Sequence, residues 1–164
     1  MPTVSNEITV SFWVYGDEDV LPAASPANTT VFEGEDAAGD RQVNVHLPWS
    51  NGRIYWDCGN DGSGYDRIDK AASGTEISGQ WNHWAFTKNT GTGSMKIYLN
   101  GTLWHSGSGK TRPIDIQDLN VGSAIRSSTL WYYGKVDEFQ VWDVELSQAP
   151  IEEYMHKSVT ASHP

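Results

Sequence analysis

The stretch that decides the fold is His46–Gly59, "HLPWSNGRIYWDCG". It crowds two tryptophans, a tyrosine, a histidine, an aspartate and the single cysteine around one Asn-Gly pair. Asn-Gly between alternating runs signals a two-residue hairpin loop, because both central residues of a type I′ turn need positive φ. A loop at Asn51-Gly52 pairs Ser50 with Arg53, Trp49 with Ile54, Pro48 with Tyr55, Leu47 with Trp56, His46 with Asp57 and Val45 with Cys58. Paired residues share a face. One face is then Val45, Leu47, Trp49, Ile54, Trp56 and Cys58, all apolar. The other is Asn44, His46, Pro48, Arg53, Tyr55 and Asp57. A loop one residue longer mixes the two sets, so the pattern supports this register and places the tryptophans in a core.

Outward from this hairpin, strand signals recur at short intervals. Residues 7–15, "EITVSFWVY", alternate Ile8, Val10, Phe12 and Val14 against Thr9, Ser11, Trp13 and Tyr15, the period of a half-buried strand. "TTVFEG", "WNHWAFTK", "MKIYLNG", "TLWHSG", "LNVGS" and "KVDEFQVWD" follow, divided by Gly, Asn and Ser. Asn100-Gly101 predicts a second hairpin, with Ile97 opposite Trp104 and Lys96 opposite His105. Trp84, Phe86, Met95, Ile97, Leu99, Phe139 and Val141 complete the expected core. Segments 16–30, 59–80 and 106–117 are polar and read as loops. One helix is expected near the end, with Ser147 as N-cap, Pro150 in the first turn and an apolar stripe of Ile151, Tyr154 and Met155. Strand after strand without helical crossovers gives an all-β antiparallel sandwich with one short C-terminal helix.

Composition narrows function. The chain has 164 residues, enough for one domain with a real core, and a formal net charge of −10 from 21 acidic and 11 basic side chains. A field of that sign repels phosphate backbones, so nucleic acid is not an expected partner. No run of about 18 apolar residues is present, so membrane insertion is not expected either. Cys58 has no partner for an internal disulfide, and no Cys/His cluster suggests zinc.

The segments "ITVSFWVYG", "QWNHWAFTKN", "MKIYLNGTLWHSG", "LNVGS" and "YYGKVDEFQVWDVELSQAPIEEYM" resemble laminin-G-like domains of the concanavalin A-like lectin/glucanase superfamily, over about residues 7–156 and in the family's order. The resemblance implies a jelly-roll sandwich. It also implies an extracellular module, secreted or at the cell surface, that binds glycans or proteins, often with structural Ca²⁺. Family members begin with a further strand and run past the helix into a closing one, so a single monomeric module from a longer protein is expected.

Three kinds of chemistry can be weighed. Jelly-roll glucanases set carboxylates at alternate positions of one strand, to flank the scissile bond about 5–5.5 Å apart. Here Glu33 and Glu35 are followed by Ala37, so no catalytic residue is assigned and a polysaccharide hydrolase or lyase fragment is a lesser alternative. Calcium needs clustered hard oxygens. Asp57, Asn60, Asp61 and Asp66 are the candidate ligands, with Glu33, Glu35, Asp36 and Asp40 as a second acidic group, and Asp137 matches the family position near the metal. Glycan recognition needs aromatic platforms beside planar polar groups. The polar hairpin face offers His46, Arg53, Tyr55 and Asp57. Trp131 and Tyr132, in "STLWYYGK", form a rival platform. A cross-strand His46–Asp57 pair is more often a structural hydrogen bond than a functional site. The leading expectation is a non-catalytic carbohydrate-binding or adhesion module, the alternative a protein–protein interaction module of the same fold whose acidic loops meet a basic partner.

Overall fold

The computed structural model describes residues 4–22 and 25–157. Ten strands and two short helices follow in order: β1 Glu7–Gly16, β2 Phe32–Glu35, β3 Arg41–His46, β4 Arg53–Asn60, β5 Tyr65–Ala71, α1 Gly74–Ile77, β6 Trp81–Asn89, β7 Ser94–Leu99, β8 Thr102–Gly107, β9 Asp118–Val121, β10 Gly134–Trp142 and α2 Gln148–Tyr154. They form two antiparallel five-stranded sheets, ordered β10-β1-β6-β7-β8 and β5-β4-β3-β2-β9, in a jelly-roll sandwich.

Period-two alternation builds the core. Ile8, Val10, Phe12 and Val14 of β1 are buried against Val43, Val45, Ile54 and Trp56 of the facing sheet. Phe12 stacks on Phe86 and Phe139, each 5.7 Å between ring centroids, and Phe32 meets Phe12 edge-on at 5.9 Å. Such aromatic contacts add about 0.5–1.5 kcal/mol each to the burial term. Phe139 and Val141, expected to be fully buried, are only partly covered, because β10 is an edge strand. Helix α2 starts after Ser147 and closes the outer face of the first sheet, with Ile151 against Ala85 and Tyr98, and Tyr154 stacked on Trp142.

The two hairpins depart from expectation in instructive ways. In β3–β4 the pairs are Val43 with Cys58, Asn44 with Asp57, Val45 with Trp56 and His46 with Tyr55, two residues from the predicted register. An even shift preserves which face each residue takes, so Val45, Leu47, Ile54, Trp56 and Cys58 are all buried. Only Gly52 takes positive φ (72°), and its N–H donates to the Trp49 carbonyl while the Trp49 N–H donates to Arg53. That is the pattern of a three-residue loop with a glycine bulge, not a type I′ turn. Trp49 consequently leaves the core and packs on His46. At the second hairpin Asn100 (φ 49°) and Gly101 (φ 82°) do form the two-residue loop, with Leu99 opposite Thr102. A bulge at Ile97/Tyr98 then shifts the pairing, so Ile97 faces His105 and Lys96 faces Ser106.

The expected loop 59–80 holds a full strand, β5, and the one-turn α1. β5 joins the edge of the second sheet through Asp57–Arg67 and Tyr55–Asp69 pairs. Its inner face meets β6 of the other sheet through Lys88, whose side chain is fully buried and whose Nζ donates to Asp66 Oδ2 (2.9 Å) and the Cys58 carbonyl (2.6 Å).

Candidate functional site

The outer face of the second sheet carries the site. Alternation sends Tyr65, Arg67 and Asp69 of β5, Arg53, Tyr55 and Asp57 of β4, and Asn44 and His46 of β3 to the same side. Arg41, beside the bulge between β2 and β3, reaches this side as well. Beneath lies a layer of sealed carboxylates. Glu33 and Asp57 are both 0% exposed. Asp57 accepts Arg67 Nε at 2.5 Å and Nη2 at 2.7 Å, and Arg41 Nη1 at 3.2 Å. Glu33 accepts Arg41 Nε at 2.9 Å and the Ile125 N–H at 2.7 Å, which pins the 122–133 loop against the sheet. Bidentate geometry on Asp57 fixes Arg67, and Arg41 is fixed by bridging Glu33 and Asp57.

Above this layer opens a pocket of about 330 Å³, lined by Arg41, His46, Trp49, Asn51, Tyr55, Arg67 and Leu130. Trp49 lies 4.4 Å from the His46 ring, and Tyr55 lies 6.1 Å from it. Asn51 Nδ2 donates to the Tyr55 hydroxyl at 2.7 Å and holds that ring upright. His46 Nδ1 sits 2.6 Å from the Thr29 carbonyl, which can only accept, so Nδ1 carries the proton and Nε2 accepts from Asn44 Nδ2 at 2.9 Å. Burial lowers the His46 pKa below its ordinary value, against the pull of the Thr29 bond, so the ring is a neutral wall.

Three polar groups here are unsatisfied by protein. Arg41 Nη2 and Arg67 Nη1 make no hydrogen bond among the described residues, although both arginines line the pocket. The buried Asn44 Oδ1, on the amide that holds His46, also has no partner. A buried acceptor without a donor costs about 1–3 kcal/mol unless solvent or ligand supplies one.

The structure sorts the expected site residues. His46 and Tyr55 are brought together, directly paired across the strands. Asp57 is not opposite His46 and is sealed under the arginines. Arg53 turns away to Asp69, Nε to Oδ2 at 2.5 Å. In the rival platform Tyr132 is buried, its hydroxyl pKa pushed up by desolvation, whereas Trp131 is 51% exposed outside the pocket lining. Trp49, Asn51, Arg41, Arg67 and Leu130 were missed. For Arg67 the alternation with Tyr65 and Asp69 was the available signal, but it needs β5 to be seen as a strand.

The expected calcium ligands do not converge. Asp66 is occupied by Lys88 and by the Arg112 backbone N–H and guanidinium, 2.9 Å each. Asp61 accepts from Ser63 Oγ and N, bonds that with Arg112 lower its pKa to about 2. Asn60 bridges to the Arg41 carbonyl and the Gly62 N–H, and Asp137 accepts the Glu138 N–H. Among the described residues no group of three or more His, Cys, Asp or Glu is placed to hold a metal. The donor set does not fit Ca²⁺, which takes six to eight oxygens.

Comparison with known proteins follows the same lines. No curated protein sequence matches the chain. Among solved structures, the native heptameric SAP-like pentraxin from Limulus polyphemus superposes with a TM-score of 0.69 at 18% identity, covering 97% of this chain and 75% of that one. The botulinum neurotoxin serotype D binding domain gives 0.66 at 18% identity, over 90% of this chain and 35% of the toxin domain. The serotype D ligand binding domain in complex with N-acetylneuraminic acid gives 0.65 at 19%, over 90% and 35%. The chain thus spans three quarters of the pentraxin and about a third of the toxin domains. These likenesses establish the jelly-roll fold. A laminin G family model, described as the concanavalin A-like lectin/glucanases superfamily, matches residues 2–152, and the chain belongs to that family.

Proposed function

We propose that the protein is a non-catalytic glycan-binding module that seats a sugar ring in the Trp49–Tyr55 pocket, and that it works outside the cell as one module of a longer chain. The observation that carries this reading is the pocket's unspent bonding capacity. Arg41 Nη2 and Arg67 Nη1 lack protein partners beside the half-buried rings of Trp49 and Tyr55. A sugar hydroxyl both donates and accepts, and a pyranose face is apolar, so one ligand class answers all of these demands. The N-acetylneuraminic acid complex of a fold neighbour supports a sugar as ligand class. Catalysis is not proposed: Glu33 is neutralised by Arg41, and Glu35 pairs with Arg126 at 3.2 Å.

A glycan array with the wild type, followed by calorimetry on variants, tests this. Tyr55→Ala and Trp49→Ala should each weaken the selected sugar by about 2 kcal/mol or more, as truncation of an anchor does. Arg53→Ala, engaged with Asp69, should leave affinity unchanged. Undiminished affinity in both aromatic variants with loss in Trp131→Ala would move the site to the 122–133 loop. Binding to proteins and to no glycan would favour the interaction-module reading.

A further inference from the structure

We propose that Tyr65, backed by Arg41 and Arg67, forms a second saccharide subsite beside the pocket, so that the module reads an oligosaccharide rather than a single sugar; this rests on the glycan reading above. Tyr65 opens β5, the edge strand of the sheet, and 38% of its surface is exposed. Its ring is not adrift. The Arg67 guanidinium lies 5.1 Å from the Tyr65 centroid and 4.7 Å from that of Tyr55, and Arg41 lies 5.6 Å from Tyr65. Arg67 Nη2 also donates to the Tyr65 hydroxyl at 3.3 Å.

One guanidinium therefore braces two aromatic platforms on adjacent strands, and Asp57 in turn fixes that guanidinium. Cation–π contacts of this kind hold a ring in place before any ligand arrives, so little side-chain entropy is left to lose on binding. The free Nη1 of Arg67 belongs to the group lying between the two rings, where it can reach a hydroxyl near the linkage of a bound chain. Trp49, Tyr55 and Tyr65 then run from the β3–β4 loop to the sheet edge as a track for consecutive sugar rings. A ring serving only to shield the Asp57–Arg67 ion pair has the same geometry, and chain-length dependence separates the two roles.

The experiment titrates chito-, cello- and β-1,4-galacto-oligosaccharides of one to four units against wild type, Tyr55→Ala and Tyr65→Ala, with thermal melts of each variant. For the series that binds, wild-type affinity should rise about tenfold between one and three units, the scale of one added ring contact. Tyr65→Ala should keep the monosaccharide affinity and lose that gain, whereas Tyr55→Ala should lose affinity at every length. A wild type with no gain in length, or a Tyr65→Ala variant weakened equally at all lengths or at none, overturns the second subsite and leaves the pocket standing. No binding by any series to the wild type overturns the second subsite for these β-1,4 chains, while the glycan array decides the pocket.

Discussion

At the scale of single residues, the buried charges respond asymmetrically to mutation. Asp57 is sealed, while the guanidiniums of Arg67 and Arg41 reach water at 35% and 22% side-chain exposure. Arg67→Ala leaves an enclosed carboxylate with Arg41 alone, and should cost about 3 kcal/mol, at the low end for a buried pair broken from one side. Asp57→Asn leaves two cations that can hydrate, and should cost less; urea melts of both variants check the order. His83 gives a pH prediction. It is 3% exposed, and burial first, then the charge of His156, lowers its pKa from 6.5 to about 4. Above pH 6.5 both folded and unfolded forms are neutral and stability is full. Between 6.5 and about 4 only the unfolded chain takes up the proton, so stability falls by on the order of 3 kcal/mol and levels off below. His46 adds to the same limb, and His83→Gln should shrink it in a series of melts against pH. Cys58, its thiol pushed up to about 12 by burial, should react with a thiol reagent only on unfolding.

At the scale of elements, Trp56 shows what the hairpin contributes. It is fully buried between Phe32 and Phe86, and its Nε1 donates to the Thr87 carbonyl of the opposite sheet at 3.1 Å. Trp56→Ala should cost about 3–5 kcal/mol in denaturant midpoint terms, through cavity formation and a lost bond between sheets. The faces of Asn44 to His46 and of Arg53 to Cys58 were legible from alternation, because an error of two residues in register changes no side. The position of Trp49 was not. Asn51-Gly52 and Asn100-Gly101 are identical as dipeptides, yet only the second puts both residues at positive φ. Strand β5 was illegible for a related reason: in "YDRIDKA" only Ile68 is a buried apolar residue, since its outer residues serve the arginine layer and Asp66 serves Lys88. A strand whose both faces are charged carries no apolar period, and with it Arg67 went unread.

At the scale of the whole molecule, the net charge is −10, while the pocket is locally balanced by Glu33 and Asp57 against Arg41 and Arg67. Among the described residues no helix is long and apolar enough to cross a membrane. Because the candidate ligands Asp57, Asp61 and Asp66 are held by Arg67, Arg112 and Lys88, millimolar Ca²⁺ and EDTA should give the same melting temperature; a rise with Ca²⁺ would show a site that binds the folded state. The central claim is that a sugar is held on the outer face of the second sheet, between Trp49 and Tyr55. The most direct measurement is an amide NMR titration of the ¹⁵N-labelled protein with the saccharide the array selects. The account predicts saturable shifts concentrated on residues 41–46, 49–55 and 65–67. Shifts confined to the Asp17–Asp19 loop or to Ser127–Trp131, with the hairpin silent, would contradict it.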